Sequence, residues 1–413
     1  MNKMQKTIQC LSAKLAILAL VYVSLVSLTS CSDDDEPVKE VIYSWEFEEL
    51  APSTPDFMDD KYKIESTFKA ALGASGTATS VTKQGSSETC DKEVLEACQR
   101  AFDSLKDEVW QGCYVFVVTN TTTDTPICKV SFNADNDNAW TDFSKSYTAY
   151  DLKIGDYYYS DGTWSDGGLR KFNPVNNKME WAEQIPKPES GKTVIGIVFY
   201  TGFHDYDKSD YTESGIGQKN CHGYVIALTD VNNSADDCLR WGYGPKGDVD
   251  IRLGTYTISE SWSGFNDQLI VQEYVSKNNG WEMKHFPAFL ACATYGNRTL
   301  DQDGNPTNAY DWQQPLAAPK NSSGWFLPSY GQLKYIDKYC SFLEDHIKII
   351  RDNTSNDSSY KKYINVFRED RYYWSSTEDA KYTSSALSLK VHVGLTPICK
   401  KRNAYNVRAV LAF

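Results

Sequence analysis

Apolar positions change their period several times along this 413-residue chain, and each change marks an element. The first run, LAILALVYVSLVSL at 15–28, carries no charge. It is shorter than the about 20 apolar residues of a spanning helix and follows Lys3, Lys6 and Lys14, so it reads as the core of an export leader. VIYSWEFEEL (41–50) alternates and predicts a strand. From Asp59 to Leu72, Tyr62, Ile64, Phe68 and Leu72 form an apolar stripe, and Gly73 stands where a helix would end. Residues 73–88 are rich in Gly, Ser and Thr and predict a loop. Thr89 is placed to cap a second helix reaching about Lys106, with Val94, Cys98, Ala101 and Leu105 on one face. GCYVFVVTN (112–120) and ICKVSFN (127–133) predict a hairpin. Together these elements predict a small α+β domain over 41–133. The polar stretch 134–146 reads as a linker.

A second region opens with IGDYYYSDGTWSDGG (154–168). Asp161-Gly162 between aromatic runs predicts a two-residue hairpin turn in which both residues take positive φ. VIGIVFY (194–200) and YVIALT (224–229) are continuously apolar and predict strands buried on both faces. HFPAFLACATY (285–295) leans to helix through its alanines. Ser329 and Gln332 form a capping box at the head of a helix on which Leu333, Ile336, Cys340, Leu343 and Ile347 recur at helical spacing. RDNTSNDSSYKK (351–362) predicts a loop. YYWSST (372–377), SALSLKVHV (385–393) and YNVRAVLAF (405–413) predict closing strands, the last alternating through Tyr405, Val407, Ala409, Leu411 and Phe413.

The leader ends in Leu28-Thr29-Ser30-Cys31, which resembles the bacterial lipobox. The resemblance implies removal of residues 1–30 and a lipid on Cys31, hence a membrane held through that lipid. Ser32-Asp33-Asp34-Asp35-Glu36 cannot pack and stays solvated. The same run resembles the surface-export signal of certain Gram-negative anaerobes. That implies an outer-membrane lipoprotein facing the cell exterior, with residues 31–40 as an acidic tether.

Charge narrows the partners. The chain carries −13 overall, and its leader holds three lysines and no acid, so the exported part is more acidic still. Such a chain argues against nucleic acid and anionic lipid. The 27 Tyr and 11 Trp suit both β-rich cores and binding surfaces. Beyond Cys10 and Cys31, nine cysteines remain, an odd number that cannot pair completely within the chain. Cys113 with Cys128, and Cys221 with Cys238, are spaced for disulfides; buried free thiols are the alternative. No CxxC motif supports a zinc ribbon.

Seven segments occur together and in order: GDYYYSDGTWS (155–165), IGIVFY (195–200), HGYVIALTD (222–230), WG (241–242), GWFLPSYGQL (324–333), YWSSTE (373–378) and VRAVLAF (407–413). In this combination residues 147–413 resemble surface lipoproteins and fimbrillin-family proteins carrying a C-type-lectin-like domain of the formylglycine-generating-enzyme subtype. The resemblance implies a mixed α/β domain after the small α+β one, and a ligand surface over the last strands. In this chain that surface would come from Glu378 to Tyr405, with Trp374 beside it. It would include Lys390, His392, Lys400, Lys401, Arg402, Asn403 and Tyr405, a locally basic cluster. A solvated strand edge is the alternative reading of the same residues.

Catalytic chemistry is sparse. The enzyme relative uses two cysteines near its C-terminus, and Cys340 and Cys399 are the nearest candidates here. Cys340 lies on an apolar helix face, whereas Cys399 sits beside Lys400, Lys401 and Arg402, which would lower its pKa. The calcium triplets of sugar-binding lectins are absent, and Trp374-Ser375-Ser376 offers no carboxylate. Asp301, Asp303 and Asn305 are a weak calcium candidate, with a polar turn as the alternative. The five histidines show no metal spacing. No cofactor is expected. The leading expectation is a binding module, an adhesin or fimbria-associated protein recognising a glycan or a protein. A structural component among pilus subunits is the second reading, and a redox enzyme the third. Replacing Cys31 by Ala is expected to abolish incorporation of labelled palmitate and to release the protein from the membrane fraction; unchanged fractionation would refute the anchor.

Overall fold

The computed structural model describes residues 39–49, 57–134, 138–143, 146–173, 178–231, 238–245, 247, 249–296 and 310–413. Cys31 and the calcium candidates Asp301, Asp303 and Asn305 lie outside the described residues. The described chain is 27% helix and 26% strand, a mixed α+β fold. It divides into two compact units, one through Phe143 and one from Ser144.

The first unit contains β1 (Lys39–Glu49), α1 (Phe57–Leu72), β2 (Ser80–Gly85), α2 (Ser87–Leu105), β3 (Tyr114–Asn120), β4 (Thr125–Phe132) and β5 (Ala139–Asp142). The strands make one antiparallel sheet in the order β2-β1-β3-β4-β5. Along β1, Val41, Tyr43 and Trp45 are buried while Ile42 and Glu46 are exposed, the period of two that one covered face requires. Ile64, Phe68, Val94, Cys98 and Leu105 of the helices share a core with Phe116, Val130 and Phe132 of the strands. Phe68 packs 4.6 Å from Phe116, centroid to centroid. Tyr62, expected on the buried stripe, is 76% exposed, because it stands two places from Ile64 and faces away from the sheet.

Local signals set the ends of these elements. Gly73 has φ +82; its N–H donates to the Ala70 oxygen, and the Ala74 N–H reaches the Lys69 oxygen. That pairing closes α1 in the left-handed conformation that favours glycine. The second helix begins earlier than Thr89: Ser86 is the cap, and its Oγ accepts from the Thr89 N–H. Ser80–Gly85, expected to be loop, is an edge strand because β1 offers it a ladder from Lys39 to Ser44. Ala139–Asp142, expected to be linker, pairs with β4. Trp140 there packs 5.9 Å from Phe102, a contact its polar neighbours hide.

The second unit begins with β6 (Tyr157–Tyr159), β7 (Trp164–Ser165), β8 (Leu169–Asn173), β9 (Lys178–Trp181), β10 (Val194–Thr201), β11 (Gly223–Ala227) and β12 (Leu239–Arg240). The helices α3 (Gly264–Lys277), α4 (Pro287–Ala293), α5 (Tyr330–Lys338) and α6 (Cys340–Asn353) follow. It closes with β13 (Tyr373–Glu378), β14 (Ser385–Leu389), β15 (Ile398–Lys400), β16 (Ala404–Tyr405) and β17 (Val410–Ala412). The main sheet runs β17-β11-β10-β6-β7, so the C-terminal strand lies beside β11. A second sheet runs β13-β14-β15, and β8–β9 and β12–β16 are two-stranded. The central strands are buried on both faces, as their continuous apolar runs require. The last strand is buried from Asn406 to Phe413 without alternation, because both of its faces meet packed chain.

Several predicted details change. The Asp161-Gly162 turn spans three residues: the Tyr159 N–H donates to the Thr163 oxygen, and of Asp161 and Gly162 only Gly162 takes positive φ. This is the three-residue hairpin, with glycine in the left-handed position. Both bonds of the capping box form: Ser329 N–H to Gln332 Oε1 at 2.8 Å, and Gln332 N–H to Ser329 Oγ at 3.4 Å. Gly331 is required beside it, since a Cβ there would lie 2.5 Å from the Ser261 oxygen. The long helix breaks at Tyr339, whose φ −116 and ψ 13 leave the helical region. The strand expected over 385–393 stops at Leu389, and His392 sits in a turn at φ +70.

The buried stripe of α1 yields a direct test. Phe68→Ala is expected to lower the stability of the first unit by about 3–5 kcal/mol in urea unfolding. Tyr62→Ala is expected to change it by less than about 0.5 kcal/mol.

Candidate functional site

The residues expected to form a ligand surface separate into buried and exposed sets. Trp374 has no exposed surface; its Nε1–H donates to the Leu239 oxygen at 2.9 Å, and its ring packs 4.7 Å from Tyr405. Glu378 and Lys401 are also fully buried. These three therefore belong to the core and not to a surface. A buried carboxylate must find donors and a buried ammonium must find an anion.

The Glu378 carboxylate accepts from the N–H groups of Leu253, Gly254 and Thr255 at 3.0–3.2 Å and from Lys401 Nζ. Lys401 Nζ also donates to the Ile251 oxygen at 3.0 Å and lies 4.5 Å over the Trp241 ring. Burial pulls this ammonium below its ordinary range, and Glu378 opposes that pull. The pair fastens the irregular segment 251–255 to β13 and to the turn after β15. The sequence run Lys400-Lys401-Arg402 hides this, because consecutive residues there point to opposite sides.

Lys400 and Arg402 point outward. They line a shallow cavity of about 180 Å³ together with Val249, Asp250 and Ser384. Lys400 Nζ donates to Ser384 Oγ at 3.1 Å, and Asp250 accepts from Thr383 Oγ1 at 2.6 Å. Asn403 is exposed and reaches the Tyr405 hydroxyl at 3.3 Å. Tyr405 is half-buried and donates to Cys399 Sγ at 3.2 Å. Cys399 is buried under that hydroxyl and Ser388, with Lys401 turned away from it towards Glu378. Lys401, one of the three cations expected to lower the pKa of that thiol, is thus taken up by Glu378.

Lys390 and His392 lie at the other end of β14. Ser385 pairs with Lys400, so the five residues to Lys390 separate the two groups by about 16 Å. The backbone of His392 is exposed, while its side chain is only 22% exposed. Its N–H donates to Asp337 Oδ1 at 2.6 Å, and its ring lies between Glu344 and Cys340. The basic cluster read from the sequence is thus two places and one core residue.

A second concavity of about 590 Å³ was not legible in the sequence. Ser160, Asp161, Thr193, Gln314, Lys320 and Asn321 border it, with prolines and alanines between them. Asn321 packs so closely on Gly162 that a Cβ would lie 2.4 Å from its Oδ1. The signal in the sequence was weak: a Pro-Ala-rich stretch after residue 314 with no apolar period.

None of the nine described cysteines forms a disulfide, so neither Cys113 with Cys128 nor Cys221 with Cys238 is bonded. Cys128 instead lies beside Cys98, and that contact pushes its thiol well up. Among the described residues no group of three His, Cys, Asp or Glu is arranged for a metal ion. No described helix is long and apolar enough to cross a membrane.

No protein-family model matches the chain, and no curated protein matches it. Among solved structures, a fimbrial protein from Bacteroides ovatus aligns at 15% identity and a TM-score of 0.39. The alignment covers 71% of this chain and 60% of that one, so this chain spans about three fifths of that protein's length.

The two classes of lysine separate in a stability measurement. Lys401→Met leaves Glu378 buried without its cation and is expected to cost about 3–5 kcal/mol. Lys400→Met is expected to change stability by less than about 0.5 kcal/mol in the same urea titration.

Proposed function

We propose that this chain is a lipid-anchored, outward-facing surface protein whose C-terminal unit acts as a binding module for an acidic glycan. The observation that carries the reading is the pairing of Lys400 and Arg402 at one cavity, with Ser384 and Asp250 beside them, in a chain of charge −13. Two cations held together in an acidic protein mark a local preference for anions. A guanidinium suits a carboxylate or sulfate through paired N–H donors, and the hydroxyl and carboxylate suit sugar hydroxyls. The cavity has room for one sugar residue rather than a long ligand. Fimbria association belongs to the same proposal and rests on the seven ordered segments of the sequence, as does the lipid anchor on the leader.

An array of sulfated and carboxylated glycans, probed with the mature chain, tests this. Binding is expected, with a loss of affinity of about tenfold or more in each of Lys400→Ala and Arg402→Ala, the worth of one charge-assisted hydrogen bond. An array without binding, or unchanged affinity in the double variant, would overturn the reading.

A further inference from the structure

Cys340, His392 and Glu344 stand in a chain of contacts that the binding reading does not use. Cys340 Sγ lies 3.3 Å from His392 Nδ1, and His392 Nε2 lies 2.9 Å from Glu344 Oε1. A carboxylate can only accept from Nε2, so it fixes the tautomer with the proton on Nε2. The free lone pair of Nδ1 then faces the thiol. The backbone holds this order. Cys340 and Glu344 are four apart on α6 and share a face. Asp337 on α5 accepts the His392 N–H at 2.6 Å, holding the residue at φ +70. The break at Tyr339 makes Cys340 the first residue of α6.

We propose that Cys340, His392 and Glu344 form a nucleophilic site that accepts the acyl group of a carboxylic ester or thioester. Nucleophile, base and orienting group within hydrogen-bond reach are the arrangement acyl transfer needs. Cys340 and His392 are the catalytic residues, and Glu344 is a positioning residue. Burial, with Asp337 and Glu344 nearby, pushes the thiol up to about 11. It therefore rests protonated and needs the imidazole. On attack Nδ1 takes the sulfur's proton, and sulfur bonds to the carbonyl carbon. The ester C–O bond breaks, and the alkoxide leaves with the proton from the imidazolium. Water then gives a proton to Nδ1 and its oxygen bonds to the acyl carbon; the C–S bond breaks and sulfur recovers the proton. Val393, Leu395 and Ile398, each more than half exposed on the same hairpin, suit an apolar acyl chain.

The test is 4-nitrophenyl butyrate with the mature chain, followed by peptide mass mapping. Cys113 and Cys238 are more exposed than Cys340 and would react first on exposure alone. The expected result is a butyryl group on Cys340 ahead of both. His392→Asn keeps a residue tolerant of positive φ and is expected to slow acylation of Cys340 by roughly 100-fold or more. Glu344→Gln keeps a hydrogen-bond acceptor but loses the charge that supports the imidazolium. It is expected to lower the limiting acylation rate of Cys340 while leaving KM for the ester unchanged. Acylation of Cys113 or Cys238 ahead of Cys340, or an unchanged rate in a folded His392→Asn protein, would overturn the proposal. Neither result bears on the glycan cavity, whose residues lie at the other end of β14.

Discussion

The carboxylate of Glu378 is the point on which the C-terminal unit closes. Segment 251–255 has no strand or helix to pair its N–H groups, and a buried N–H without a partner costs about 1–3 kcal/mol. Glu378 supplies acceptors for Leu253, Gly254 and Thr255, and Lys401 neutralises it. Two residues back along β13, Ser376 donates to Asp267, whose other oxygen accepts the Tyr256 N–H at 2.9 Å. Charge does here what a regular ladder does elsewhere: it gives irregular backbone a fixed address.

A second buried charge fastens the opposite strands. Arg408 is buried and donates to Asp230 Oδ1 at 2.8 Å, while Asn406 reaches Asp230 Oδ2 at 2.9 Å. This ties the end of the β11 segment to the approach of β17, just past the rung where Ile226 pairs with Val410. Burial lowers the intrinsic basicity of Arg408 and Asp230 more than restores it, so the guanidinium stays charged. Because these networks take up Glu378, Lys401 and Arg408 internally, the outer surface keeps only part of the basic run. What remains outside is Lys400 and Arg402 at one end of the β13-β14-β15 sheet and the His392 turn at the other. Surface chemistry is thus decided by which charges the core consumes.

Much of the fold was legible because it follows from local periodicity. The stripe Ile64, Phe68, Leu72 and the face Val94, Cys98, Ala101, Leu105 are both buried. The capping box at Ser329 forms, as a local motif should. The misses share one cause. Strand β2 and strand β5 exist because β1 and β4 provide ladders, and no periodicity within six or four residues reports a distant partner. The break at Tyr339 and the turn at His392 likewise depend on contacts between α5, α6 and the β14–β15 hairpin. At the site the same limit applied. Adjacent basic residues looked like one patch, yet Lys401 points in while Lys400 and Arg402 point out, because the chain turns after β15 and Glu378 takes up the lysine.

By itself the sequence determined the α+β class, the two central buried strands and the helix ends with their own capping groups. Each of these rests on interactions within a few residues, so the local order of side chains suffices. Tertiary structure alone decided which charges are buried, which thiols meet an imidazole or a hydroxyl, and how the basic run divides. Those outcomes depend on groups far apart in the chain, such as Glu378 with Leu253 or Cys340 with His392. Only folding brings them within reach, where desolvation makes each pairing matter.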